Sequence, residues 1–155
     1  MRTKEIAQAG LMLAVVVVLT TIEHMFTPMP YIKLGLANII VMYCALRGKP
    51  GQAVGLNLLK ALFVTLIRGV MAGLLSLSGG LLSVAVIIML SRSKKASYYA
   101  ISVSGAICHN LGQILMLMLL LATPALGYYL PILIISGIAT GLLTGTLCKL
   151  LGEKI

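Results

Sequence analysis

Uninterrupted apolar runs dominate this sequence and constrain its fold more than any other feature. The run from about residue 98 to residue 122 is long enough to cross a bilayer, which takes about 20 helical residues. Charged residues make up only 10% of the chain, against about 25% in a soluble domain. The sequence therefore predicts an all-α integral membrane protein with a single domain, residues 1–155.

The apolar runs and the residues that interrupt them predict a bundle of six transmembrane helices. The run from residue 52 to residue 91 is about twice the length of one crossing, so a short turn or re-entrant piece is predicted between about residues 70 and 79. The candidate breakers are Arg68-Gly69, Gly73 and SLSGG (residues 76–80). The segment 23–33 contains Pro28 and Pro30 and is predicted to be a loop, either a lid over a cavity or a simple connection. The helices are expected at about residues 6–21, 34–46, 52–70, 79–91, 98–122 and 128–151.

Basic residues set the expected orientation of these helices. Nine of the 12 Lys and Arg residues fall on one side of the predicted topology, which the positive-inside rule assigns to the cytoplasm. Lys33 and Arg68 fall on the other side, and Lys60 lies within the membrane. Both termini are therefore expected in the cytoplasm, and the net charge of +9 reflects topology, with no nucleic-acid partner predicted.

Three polar residues lie together in the middle of the fifth apolar run. Within GAICHNLGQ (residues 105–113), His109 and Gln113 are four residues apart and share a helix face, and Asn110 lies beside them. The hydrocarbon core offers no water, so each side chain needs a partner or a polar cavity. Two interpretations are open: a substrate-binding cavity, or hydrogen bonds between helices that only hold the bundle together.

Further candidate binding residues lie on the second, third and fourth predicted helices. Lys60 and Arg68 lie about 80° apart around one helix, so both can border one cavity with Asn38. The alternative for Lys60 is that its side chain extends to the membrane surface. Gly79 and Gly80 are predicted to begin the fourth helix, where free N–H groups attract an anion. Because the charges are cationic, the expected solute is anionic or amphipathic.

Small residues mark two helix faces. Ala7, Gly10 and Ala14 share a face of the first helix, which suits either packing within the bundle or docking of a partner subunit. Glycines that recur every four residues in the sixth helix, from residue 137 to residue 145, predict close packing inside the bundle.

The acidic residues limit the chemistry of this chain. There are three, Glu5, Glu23 and Glu153, and aspartate is absent. Hydrolysis by paired carboxylates and a Mg²⁺–diphosphate site built on clustered Asp residues are therefore excluded for the chain alone. No Walker lysine motif occurs. The three cysteines lie in separate apolar segments and are expected to be buried, and neither a metal site nor a cofactor is predicted. The chain is not expected to be an enzyme by itself.

The order of three motifs resembles one known family. KLGLANI (residues 33–39), SLSGGLLS (residues 76–83) and GAICHNLGQ are similar to the Gx transporters, also labelled heptaprenyl diphosphate synthase component I, over about residues 5–150. That family is similar to the substrate-binding S components of energy-coupling factor importers. These are six-helix membrane proteins that bind one solute from outside and dock on a membrane T subunit and ATPase subunits. The matching positions are Gly35, Asn38, Gly79, Gly80, His109, Asn110 and Gln113.

The two labels of this family imply different functions. Similarity to S components implies the solute-binding subunit of an importer in the bacterial cell membrane, with a vitamin, quinone or isoprenoid precursor as the solute. It also implies that the small face of the first helix is a docking surface. The synthase label implies a subunit of a prenyl chain-elongating enzyme. Catalysis there belongs to aspartate-rich motifs that bind Mg²⁺, so this chain would be a non-catalytic, accessory subunit.

Overall fold

The computed structural model describes residues 3–26, 37–47, 49–93 and 96–153. In these ranges the chain forms α-helices and one short 3₁₀ helix, and no strand. The α-helices are α1 (Thr3–Phe26), α2 (Asn38–Leu46), α3 (Pro50–Arg68), α4 (Val70–Ser91), α5 (Tyr98–Leu121) and α6 (Leu130–Glu153), and the 3₁₀ helix Pro124–Tyr129 precedes α6.

Five segments of the described chain are long and apolar enough to cross a bilayer. One lies within α1, three coincide with α3, α4 and α5, and the fifth covers the 3₁₀ helix and most of α6. The described part of α2 has nine residues and rises only about 14 Å, too little to cross alone. The predicted second helix began at residue 34, and residues 34–36 lie outside the described ranges. The multi-pass helical class is confirmed, while six crossings and cytoplasmic termini stay predictions.

The connection between α3 and α4 differs from the predicted one. α3 ends at Arg68 and α4 begins at Val70, so Gly69 alone makes the turn, with φ of 87°. That conformation favours glycine because a side chain is strained there. The SLSGG segment consequently lies within α4. The predicted fourth helix at residues 79–91 was too short, and the predicted anion-binding helix start at Gly79 and Gly80 was wrong.

Close packing explains why α4 keeps its small residues inside the helix. A Cβ at Gly73 would overlap the side chain of Thr65, and a Cβ at Gly80 would overlap the carboxamide of Asn57. Small residues therefore mark where α3 and α4 approach each other and do not break the helix. Gly112 of α5 packs against the backbone of Gly79 in the same way.

α6 packs against α5 through the glycines that recur every four residues. A Cβ at Gly141 would lie 2.6 Å from the Cα of Val103, and one at Gly137 would lie 3.2 Å from the Cα of Ile107. Gly145 meets Ser102 in the same interface. The predicted close packing of this glycine face inside the bundle is confirmed.

α1 lies at the edge of the bundle and continues beyond its predicted end. Only 11% of the span from Ile6 to Glu23 is buried, although Val16 is fully buried. Because α1 extends to Phe26, Glu23 belongs to the helix and not to the predicted loop. The rest of that loop, residues 27–33, lies outside the described ranges, and so does its suggested role as a lid.

Candidate functional site

Lys60 lies in the core of the bundle and is bonded to another helix. Its side chain is only 6% exposed, and its Nζ donates a hydrogen bond of 2.6 Å to Oδ1 of Asn38. Asn38 begins α2 and Lys60 lies in the middle of α3, so this bond joins the two helices. A buried cation costs several kcal/mol in solvation free energy and persists where polar groups surround it. Lys60 therefore faces the interior of the bundle, and does not extend to the membrane surface.

A polar cavity adjoins this pair and lies between α2, α4, α5 and α6. Its volume of about 20 Å³ is enough for about one water molecule. Asn38 and the hydroxyl groups of Ser83, Ser102, Thr140 and Thr144 form its polar wall. Met42, Ile87, Gly105 and Ala106 complete the lining. As packed here, the cavity holds a water-sized molecule and no larger solute.

The hydroxyl groups of this cavity come from α4, α5 and α6, and one pair of them joins α5 to α6. The hydroxyls of Ser102 on α5 and Thr144 on α6 hydrogen-bond each other at 2.6 Å. Thr144 lies 3.2 Å from the carbonyl oxygen of Gly141 as well. Ser102 lies seven residues before His109, close to the same helix face, whereas the predicted site did not include Thr140 and Thr144. Their spacing of four residues, beside the glycine face of α6, was the available signal.

Two further polar side chains are buried where α3 packs against α4. Asn57 and Ser76 are each 1% exposed. The amide nitrogen and amide oxygen of Asn57 lack a hydrogen-bond partner among the described residues. The hydroxyl of Ser76 lacks one as well. Leaving such a group unpaired costs about 1–3 kcal/mol, and the large majority of buried polar groups are paired. Asn57 and Ser76 are thus candidate binding residues that the predicted site did not include.

The register of the α3–α4 pair places these groups at the same depth as Lys60. Gly73 meets Thr65 and Gly80 meets Asn57, so Ser76, between the two glycines, lies level with about residues 61–62 of α3, within two residues of Lys60. Asn57 and Lys60 are three residues apart, about 4.5 Å along the axis, and share a face of α3. Both are buried on it. The buried polar residues of α3 and α4 therefore lie within about one helical turn of each other along the helix axes.

The three predicted residues of α5 contact different helices and do not line the polar cavity together. Asn110 donates from Nδ2 to the carbonyl oxygen of Leu133 on α6 at 2.8 Å, the bond between helices that the packing interpretation predicted. His109 is buried and lies against Gly79, and the Cγ of the half-buried Gln113 lies against the same glycine. The lining of the 20 Å³ cavity includes none of the three predicted residues.

Arg68 lies apart from these groups. It borders a separate, largely apolar groove of about 30 Å³ between α1 and α3, which Thr20, Thr21, Phe63, Val64 and Ile67 also line. Eight residues separate Arg68 from Lys60, about 12 Å along the helix. Lys60 is not among the residues that line this groove, and a cavity bordered by both Lys60 and Arg68 stays a prediction.

The small-residue face of α1 is exposed to its surroundings in the described structure. Ala7, Gly10 and Ala14 are exposed, and nothing lies within 4 Å of a Cβ placed at Gly10. This face does not pack against the described part of the bundle. Packing within the bundle and docking of a partner subunit both stay predictions for this face.

These features define a multi-pass helical membrane protein whose core holds a buried lysine, two buried amides and a wall of hydroxyl groups. A family model described as heptaprenyl diphosphate synthase component I matches residues 12–151. The chain belongs to this family, and the predicted resemblance is confirmed. No curated protein and no solved structure matches the chain. The match spans the whole core, including Asn38, Lys60 and the polar residues of α5.

Proposed function

We propose that this chain is the substrate-binding membrane subunit of a small-molecule importer, similar to an S component. Its solute is anionic or amphipathic, of the kind represented by a vitamin, a quinone or an isoprenoid precursor. The observation that carries this proposal is the bond between Lys60 and Asn38 beside a polar cavity. Ionisable residues inside a membrane bundle are costly and mark solute pathways or binding sites.

Lys60 and Asn38 form the centre of the proposed site. The Lys60 ammonium group attracts the anionic group of the solute, and the amide of Asn38 holds that ammonium group in place. Gly79 and Gly80 bring α4 close to α3 and α5, which lets His109 approach the same region. Since the described cavity admits only water, binding of a solute separates the helices around it, most simply at these glycine contacts.

The remaining predicted site residues have supporting roles in this proposal. Arg68, at the end of α3 opposite the basic turn near residue 49, attracts anions toward the outer mouth of the bundle. Gln113, half-buried beside Gly79, lies at the edge of the site. Asn110 holds α5 to α6 through the carbonyl group of Leu133.

The exposed face of α1 supports docking on an energising module. Ala7, Gly10 and Ala14 present a flat surface that another helix can approach closely. The chain has no Walker lysine motif, so the energy for uptake comes from partners, a membrane T subunit and ATPase subunits. Six crossings of a bacterial cell membrane, with both termini in the cytoplasm, belong to the same proposal.

Native mass spectrometry of the protein purified from membranes tests this function. We expect a retained small molecule or co-purified ATPase subunits. Lys60→Met should release the small molecule, whereas Lys49→Met, which changes an exposed lysine at the start of α3, should retain it. Repeated preparations that contain neither a small molecule nor a partner, together with normal solute uptake in a deletion strain, would contradict the proposal.

The description of the family favours a second candidate function, a non-catalytic membrane subunit of heptaprenyl diphosphate synthase. A buried lysine also suits a diphosphate group. Because aspartate is absent from the chain, the Mg²⁺-dependent step would belong to a catalytic partner. Reconstitution of that partner with and without this chain tests the candidate. An unchanged rate and an unchanged product length would argue against it.

A further inference from the structure

We propose that Asn57 and Ser76 bind a neutral hydrogen-bonding group of the solute, one helical turn from the anionic group that Lys60 binds. The inference rests on the proposed solute-binding function and narrows the class of solute. It points to a small organic anion that carries an amide group close to its carboxylate or phosphate.

The side chain of Asn57 is buried with unused hydrogen-bonding groups. It is 1% exposed, and among the described residues both its amide nitrogen and its amide oxygen lack a hydrogen-bond partner. A carboxamide has two N–H donors and an acceptor oxygen. Its complement is a group that accepts and donates at once, and a second amide does both.

Ser76 lies on α4, the helix that faces Asn57. Its hydroxyl is likewise buried and without a partner among the described residues. It lies one turn before Gly80, whose missing side chain leaves α4 in direct contact with the Asn57 carboxamide. Asn57 and Ser76 therefore lie within about one helical turn of each other on facing helices, and each has hydrogen-bonding capacity that no described residue uses.

The spacing between Asn57 and Lys60 limits the class of solute. Asn57 and Lys60 share a buried face of α3 and are separated by about 4.5 Å along its axis. A solute that contacts both must therefore carry its neutral polar group about one turn from its anionic group. A prenyl diphosphate does not, because its oxygens only accept hydrogen bonds and its hydrocarbon chain forms none, so the Asn57 amide oxygen would stay without a donor.

Two acids of equal chain length test this assignment, N-acetyl-β-alanine and hexanoate. The first carries an amide where the second has methylene groups. The rise in unfolding temperature with added acid gives an apparent affinity for each. For the wild-type protein in nanodiscs we expect N-acetyl-β-alanine to bind about tenfold more tightly than hexanoate, the effect of one or two hydrogen bonds.

Variants assign that preference to individual groups. Asn57→Leu should abolish the preference and leave hexanoate binding unchanged, and Ser76→Ala, a milder change, should reduce it several-fold. Asn110→Leu is the matched control, because Asn110 already bonds to Leu133. It should lower stability but keep the preference. Lys60→Met should weaken binding of both acids.

The outcomes separate the two proposals. Equal affinities of the wild-type protein for the two acids, with binding that still depends on Lys60, would overturn the assignment of Asn57 and Ser76 and leave the anion site standing. A preference that survives Asn57→Leu would also overturn it. Failure of the folded wild-type protein to bind either acid up to the solubility limit would refute Lys60 and Asn57 together as a solute site.

Discussion

The close crossing of α4 and α5 allows a prediction of stability with a worked magnitude. A Cβ at Gly112 would lie 2.8 Å from the Cα of Gly79 and 2.9 Å from the carbonyl oxygen of Ser78. Neither backbone atom can rotate away, so Gly112→Ala must push the helices apart. Overpacking costs about 1–3 kcal/mol, and we expect the upper half of this range. Because alanine has a higher helix propensity than glycine, the substitution also stabilises α5 by up to about 1 kcal/mol. The free energy of unfolding should therefore fall by about 1–2 kcal/mol.

Gly55→Ala is the matched control for this change. Gly55 lies within α3, and no atom of the described residues is within 4 Å of a Cβ placed there. The variant gains the propensity of alanine without the overpacking, so the difference between the two variants, about 2–3 kcal/mol, isolates the packing cost. Titration with SDS in mixed micelles, followed by circular dichroism, measures both stabilities. Equal stabilities would refute the close approach of α4 and α5 at Gly112.

Three further predictions concern the site and the surface. Lys60→Met should abolish solute uptake and retain the helical circular dichroism spectrum; full uptake by this variant would remove Lys60 from the site. Gly10→Leu, on the exposed face of α1, should change stability by less than about 0.5 kcal/mol but reduce co-purification of ATPase subunits, and undiminished co-purification would argue against docking there. Ser102→Ala removes the bond to Thr144 and should lower the free energy of unfolding by about 1 kcal/mol; unchanged stability in the SDS titration would contradict that bond.

The helical class could be predicted because apolar length is written directly in the sequence. The turn between α3 and α4 could not be placed with the same rule. In water, Ser and Gly in SLSGG favour a turn. Inside a bundle, small residues instead allow two helices to pack closely, as Gly80 does against Asn57. Gly69, whose positive φ makes the real turn, was one of several possible breakers, and its neighbours in sequence did not distinguish it.

The site was harder to predict because its groups come from different helices. Lys60 and Asn38 were both candidates, but their bond depends on how α2 packs against α3. The hydroxyl of Thr144 became part of the site only through the approach of α6 to α5. Spacing along α5 suggested that its polar residues form one cluster, but Asn110 faces α6 and His109 faces α4. Periodicity gives the face of a residue but not the helix that covers it.

The polar groups near Lys60 are relevant to the choice between an importer subunit and a synthase subunit. A carboxylate and a diphosphate are both anions, so the buried lysine suits either. A prenyl chain, however, requires an apolar wall beyond the anion site. Beyond Lys60 the cavity wall carries Asn38, Ser83 and Ser102 together with apolar side chains, and Asn57 lies one turn away on α3. Asn38 and Ser102 already have hydrogen-bond partners within the bundle, whereas a hydrocarbon chain against Asn57 would leave its amide without hydrogen bonds, at about 1–3 kcal/mol for each unpaired group. A solute with a neutral polar group at Asn57 avoids this cost, which is why we propose the importer before the synthase subunit.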